Sequence, residues 1–199
     1  MKKVTAIVLV AVLLTATVSA LAEAFTPITV EGDDHDAYLN NLDTCIESIN
    51  DLELDSGETF SFNATVGERS EARGYRTAPN GRGVEVVGGG VAQVATTIYL
   101  AIKQMADMEV VEKTTYGSDF CENYVAREQD AVMTDYQQAT DFRFINHGGN
   151  VIISLWRDDN NVYCKLSLIE PEATEVPPEE TELPPEDEVP AEEEPETEE

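Results

Sequence analysis

Apolar residues recur at two different periods along this chain, and the change of period locates its elements. Behind several Asp residues able to cap a helix, Tyr38, Leu42, Cys45, Ile46 and Ile49 recur at helical spacing and predict a short amphipathic helix. Cys45 falls on the apolar stripe, which favours a packed thiol over a reactive one. Asp55-Ser56-Gly57 is turn chemistry, and Phe60 to Asn63 alternates as a short strand does. The stretch from Gly67 to Gly90 is rich in glycine and polar residues and predicts surface loops. Gly88-Gly89-Gly90 then opens a second helix, with apolar positions at Val91, Val94, Ile98, Ile102 and Met105.

Beyond Asp107 the period falls to two. Glu109 to Glu112, Asn123 to Val125 and Ala131 to Thr134 are candidate strands. Phe142 to Asn146, Val151 to Arg157 and Val162 to Leu168 are separated by His147-Gly148-Gly149-Asn150 and Asp158-Asp159-Asn160-Asn161 turns and predict an antiparallel meander. Two helices ahead of such a sheet define an α+β fold: a small single domain with two main helices and an antiparallel sheet.

The two ends do not share this pattern. Met1-Lys2-Lys3, the apolar run from Val4 to Val18 and the small residues Ala20 and Ala22 make a signal-peptide layout over residues 1–22, with cleavage before Glu23. The competing expectation is a retained anchor, for which the run falls short of the ~20 residues of a span. No Cys near the cut suggests a lipoprotein signal, and no second apolar stretch predicts a transmembrane span after leader cleavage. Residues 23–36 read as a loose lead-in, 37–169 as the domain, and 170–199 as a disordered Pro/Glu-rich acidic tail, whose charges repel and whose few apolar groups cannot offset the entropy of ordering. The tail is expected to be a solubilising spacer, or a cation-binding brush near the wall.

The formal charge of −28 is spread unevenly, but Glu23 to Ile169 alone carries 25 acidic against 10 basic side chains. A field of that sign repels phosphate backbones, which excludes nucleic acid as a partner. An exported compartment permits one disulfide among Cys45, Cys121 and Cys164, with a thiol left over; equally, all three are small buried hydrophobes. Cys164 shares a strand face with Val162, Leu166 and Leu168. There is no Cys/His cluster at zinc spacing, no calcium loop, and no Lys-Ser/Thr after the glycines to make a phosphate loop, so no metal and no cofactor are assigned. The free N–H groups at the glycine-opened helix start offer positive potential, while the glycines also suit tight helix packing.

Two blocks go beyond composition. Gly57-Glu58-Thr59-Phe60-Ser61-Phe62-Asn63 continues through Val66-Gly67-Glu68-Arg69-Ser70 to Gly74-Tyr75, and is followed by Gly88-Gly89-Gly90-Val91-Ala92-Gln93-Val94-Ala95-Thr96-Thr97-Ile98-Tyr99. In this order they closely resemble the VanW family, named for an accessory protein of vancomycin-resistance clusters. Weaker resemblance continues through Tyr124-Val125, Asp130-Ala131 and Asp141-Phe142-Arg143-Phe144, so most of Leu52 to Leu168 is covered. The resemblance implies an envelope setting and a connection to peptidoglycan.

Two departures narrow the chemistry. The family pattern has Cys after Gly-Gly-Gly-[Ile/Val], where a helix N-terminus favours a thiolate, and this chain has Ala92. A His-Ser pair common in the family before the Tyr-Val strand has no histidine counterpart in Thr114 to Asp119. If the family pattern were nucleophile and base, both are lost here, and Asp130 and Asp141 become ordinary structural or surface acids. His147 in a Gly-rich turn and His35 in the lead-in are surface histidines, and the helix-interior hydroxyls of Thr96 and Thr97 are expected to bond back to their own backbone.

No catalytic residue is assigned. The resemblance leaves a binding site framed by Gly88, Gly89, Gly90, Gln93 and Tyr99, with Glu58, Phe60, Phe62, Asn63 and Arg69 forming or supporting its rim. Arg69 is the group to grip a carboxylate through two parallel N–H bonds, unless an internal salt bridge claims it. The expected function is a non-catalytic binding or accessory module of the cell envelope, with peptidoglycan or another envelope component as partner. The alternative is a cell-wall peptide hydrolase or acyltransferase using an unidentified nucleophile, whose activity a single side-chain change near Gly88 to Tyr99 would abolish; a third is an interaction protein that works through its tail.

Overall fold

Alternation begins earlier than the lead-in suggested. In the computed structural model, which describes residues 18–121 and 124–169, strand β1 (Val18–Pro27) pairs antiparallel along β11 (Asn161–Ile169). Ala22, Ala24 and Thr26 point into the core while Glu23 and Phe25 point out. Residues 23–36 are therefore not loose: they hold half a strand, a 3-10 turn at Gly32–Asp34 and the start of helix α1 (His35–Ile49). The small inward side chains hid the strand, because alanine and threonine carry little hydropathy signal. Residues 1–17 and the acidic tail, with the expectations that fall on them, lie outside the described residues.

Helix α1 forms where its stripe predicts, burying Tyr38, Asn41, Leu42, Cys45, Ile46 and Ile49. Then follow β2 (Leu52–Leu54), β3 (Thr59–Ser61) and a short helix α2 (Phe62–Val66), which takes over where Phe60 to Asn63 was expected to continue as strand. The switch is local chemistry: the Ser61 hydroxyl accepts the Ala64 N–H and caps the helix. The glycine-rich stretch, expected as loops, contains a hairpin of β4 (Thr77–Pro79) and β5 (Glu85–Val87), closed by the Asn80 side chain accepting from the Arg82 and Val84 N–H groups.

Helix α3 (Val91–Ile102) starts directly after the three glycines and is buried nearly all round. It packs on α1, β1 and β11, and its small residues Ala95, Thr97 and Ala101 let those elements approach. Each large apolar side chain taken out of water here contributes about 1.5–3 kcal/mol, which makes α3 the centre of the core.

After α3 come β6 (Met108–Glu112), β7 (Thr114–Thr115), β8 (Val132–Met133), β9 (Arg143–Asn146), β10 (Val151–Arg157) and β11. The strands form a four-stranded sheet in the order β1-β11-β10-β2, a three-stranded sheet β3-β9-β6, and two small pairs, β4-β5 and β7-β8. The α+β class stands, but the three-stranded meander does not. Of its three strands β10 and β11 form a hairpin, and β9 lies between β3 and β6 in the other sheet. Buried Asn146 turns the chain between the sheets, donating to the carbonyls of Leu54, Asp55 and Gly149 and accepting the Gly148 N–H. Tyr124 and Val125 form no strand.

All three cysteines are free thiols. Cys45 and Cys164 are buried as packed residues, and burial pushes the Cys45 thiol up to about 12 and raises Cys164 further from its ordinary value. Cys121 is exposed, so the all-buried alternative fails at that residue.

Candidate functional site

The two glycine-marked blocks fold against each other. Asn41 of α1 donates to the carbonyls of Arg76 and Gly89, at 2.8 and 2.9 Å, and accepts the Arg76 N–H at 2.7 Å. It thereby holds the edge of β4 and the glycine turn in one position. Gly89 lies so close to the Ala78 carbonyl that a Cβ would overlap it, and a Cβ on Gly88, at φ +81°, would come 2.6 Å from the Cβ of Arg69. Close approach of backbone, rather than a free helix end, is what these glycines supply.

Arg69 leaves this contact and runs beneath a cleft of about 200 Å3. Its side chain is only 9% exposed. One terminal N–H donates to Asn63 Oδ1 at 2.6 Å, the other nitrogen reaches Thr134 Oγ1 at 3.4 Å, and the guanidinium lies 5.4 Å from the centre of the Phe62 ring. Asn63 is itself fixed, donating its side-chain amide to the Thr140 carbonyl and its backbone N–H to Asp141 Oδ1, while Ser61 donates to Asp141 Oδ2. Among the described residues Arg69 has no ion pair, so the internal salt bridge that would have occupied it is absent. Burial lowers its pKa from the ordinary arginine value, with Asp141 and Asp135 among the groups acting the other way.

Gly88, Gly90, Ala92, Tyr116 and Thr134 wall the cleft, and Arg82 stands at its side, 5.6 Å from the Tyr116 ring centre and 3.8 Å from Asp119. The cleft thus carries two guanidinium groups against one lining carboxylate. Its hydroxyls come from Thr134, Thr140, Tyr116 and Tyr136; among the described lining residues there is no Ser, Cys or His. Its carboxylate, Asp135, accepts the backbone and side-chain N–H groups of Gln138.

The other predicted site residues lie elsewhere. Gln93 points away from the cleft and is fully buried, donating to Thr26 Oγ1 and the Pro27 carbonyl and accepting from the Tyr38 hydroxyl at 2.9 Å. It ties β1 and α1 to α3. Gln93→Ala is expected to cost about 2–3 kcal/mol, since it removes buried hydrogen bonds to two neighbouring elements; a urea melt measures the loss. Tyr99 packs edge-on against Phe142 beneath Lys103 and Lys113. Phe60 and Phe62 are core residues, and Glu58 accepts the Asp55 N–H at the β3 turn. Thr96 and Thr97 donate to the carbonyls of Ala92 and Gln93, as expected of helix-interior threonine. His147 bonds exposed Glu109, and His35 the Val30 carbonyl. Thr134 was read only as the end of a candidate strand, and Arg82 sits in a polar stretch without periodicity, so neither carried a site signal.

Asp130 is held structurally. Burial disfavours its charge, but hydrogen bonds from Lys103 at 2.8 Å and Arg127 outweigh burial and keep the carboxyl below its usual range. A depressed folded-state pKa stabilises above the unfolded value near 4, and that contribution is lost as pH falls through the lowered value. Asp130→Asn should therefore cost about 1–2 kcal/mol at neutral pH. The difference from wild type should shrink as thermal melts are taken below about pH 4.

Fold and cleft together define an α+β domain in which a buried guanidinium borders a small cavity. A family model described as VanW like protein matches residues 38–167, and the chain belongs to that family. It is 32% identical over 135 residues to the uncharacterized protein YoaR of Bacillus subtilis (strain 168), a match covering 60% of this chain and 43% of that relative. The chain thus spans less than half the length of this curated relative. No solved structure matches it significantly.

Proposed function

We propose that the chain is an exported, non-catalytic binding or accessory module of the cell envelope, and that it grips a carboxylate of peptidoglycan or another envelope component in the Arg69 cleft. The observation that carries this is the state of Arg69. A guanidinium taken out of water is costly unless a counter-charge and hydrogen bonds replace its hydration. Among the described residues two of its five N–H donors are used, both by neutral oxygens, and the side chain borders an open cleft. A ligand carboxylate supplies the missing charge and the parallel acceptors.

The cleft is smaller than the roughly 300–1,000 Å3 of pockets that enclose a drug-sized molecule, so it suits the end of a chain rather than a whole one. Ala92 leaves its helix-start wall without a nucleophile. Export rests on the leader sequence; β1 spans the expected cut, and Glu23 to Pro27, which pair with Asn161 to Lys165, lie on the far side of it. Purified sacculi are expected to co-sediment wild-type protein above a bovine albumin control and to release Arg69→Met into the supernatant. Wild type remaining in the supernatant with the control would overturn the wall-binding proposal.

A further inference from the structure

The face of the four-stranded sheet turned away from the helices is unusually aromatic. One face of an antiparallel sheet ordinarily packs on the core while the other carries polar residues to water. Here Phe25 on β1, Tyr163 on β11 and Trp156 on β10 are direct cross-strand partners and form a single row over three adjacent strands. Phe25 is 60% and Trp156 40% exposed. Trp156 and Tyr163 are parallel to within 6° with centroids 5.3 Å apart, an offset stack, and Phe25 follows at 6.0 Å. The Tyr163 hydroxyl donates to Asp158 Oδ2 and accepts from Asn161 Nδ2, which fixes the middle ring.

We infer that this row is a second binding surface, distinct from the Arg69 cleft, and that it stacks on the pyranose rings of an uncharged glycan. Clustered exposed aromatics mark contact surfaces more often than chance. The ring faces are electron-rich and attract the weakly positive C–H groups on the face of a sugar. Asp158, at the end of the row, already accepts from the Asn160 and Asn161 N–H groups and the Tyr163 hydroxyl, whereas Glu23 and its register partner Lys165 beside the row offer an acceptor and donors, which suits a hydroxyl-covered partner. The acidity of the chain disfavours an anionic membrane and a second, equally acidic copy.

Trp156 is the chain's sole tryptophan, so its emission reports on the row directly. Titrating the full chain with soluble N-acetylglucosamine oligomers should give a saturable blue shift. Phe25→Ala, which removes an exposed side chain without opening the core, should weaken the titration at least about tenfold, a loss of 1.4 kcal/mol. Arg69→Met should leave it unchanged, so the outcome is independent of the cleft. Four results would overturn the inference: no shift at millimolar oligomer, an unaltered titration in Phe25→Ala, loss of the shift in Arg69→Met, or a shift produced instead by phosphatidylcholine vesicles or by raising protein concentration alone.

Discussion

Replacing Gly89 with alanine is expected to destabilise the domain by about 3 kcal/mol or more, the upper range for forcing atoms into a packed interior. The added methyl group would overlap the backbone carbonyl of Ala78, and backbone cannot swing aside as a flexible side chain can. Relief would require the glycine turn to leave β4, which breaks the Asn41 bond to the Gly89 carbonyl and displaces the start of α3. Differential scanning calorimetry should show a large drop in Tm. A comparison variant, Gly57→Ala, meets no atom within 4 Å of the added group and is strained only through its φ of +81°, so its loss should be the smaller one. Equal losses in the two variants would contradict close packing at Gly89.

Arg69→Met separates stability from function. Removing a buried cation that lacks an ion pair relieves desolvation, while Asn63 Oδ1 loses its donor at a cost of about 1 kcal/mol. The two effects oppose each other, and the expected net change in stability is within about 1 kcal/mol. Ligand binding is expected to fall at least about tenfold, because methionine offers neither charge nor donors. Guanidinium denaturation and a carboxylate titration on the same preparation check both halves. A stability loss of about 3 kcal/mol would mean that Arg69 serves the fold, as partners of truly paired buried charges do.

The helices were legible because their apolar stripes are long and regular: α1 lies where Tyr38 to Ile49 predict, and α3 starts where the Val91 to Met105 stripe does but ends at Ile102. β10 and β11 were legible for the same reason at period two. β9 was not assignable to its sheet, since pairing is decided by long-range contacts and by Asn146, which reads as the end of a strand although its buried side chain turns the chain between the sheets. β1 was hidden by small inward residues and by its overlap with the end of the leader. Within the site, the blocks around Asn63, Arg69 and Gly88 to Gly90 were found as motifs, and they do converge. Sequence order could not tell which motif residues face the cleft: one helix position separates cleft-lining Ala92 from Gln93, which points to β1. Asn41 was overlooked because an asparagine on an apolar stripe has no periodic signature, although it positions the whole glycine turn.

The central claim is that Arg69 makes the cleft a carboxylate site, and isothermal titration of the full chain with a matched pair of probes tests it most directly. The probes are an N-acetylated dipeptide of alanine with a free C-terminal carboxylate and the same dipeptide as its C-terminal amide, small enough for walls built from Gly88, Gly90 and Ala92. The free acid is expected to bind at least about tenfold more tightly than the amide, with the difference abolished in Arg69→Met. Equal affinity for acid and amide, or a preference for the acid that survives in Arg69→Met, would contradict it.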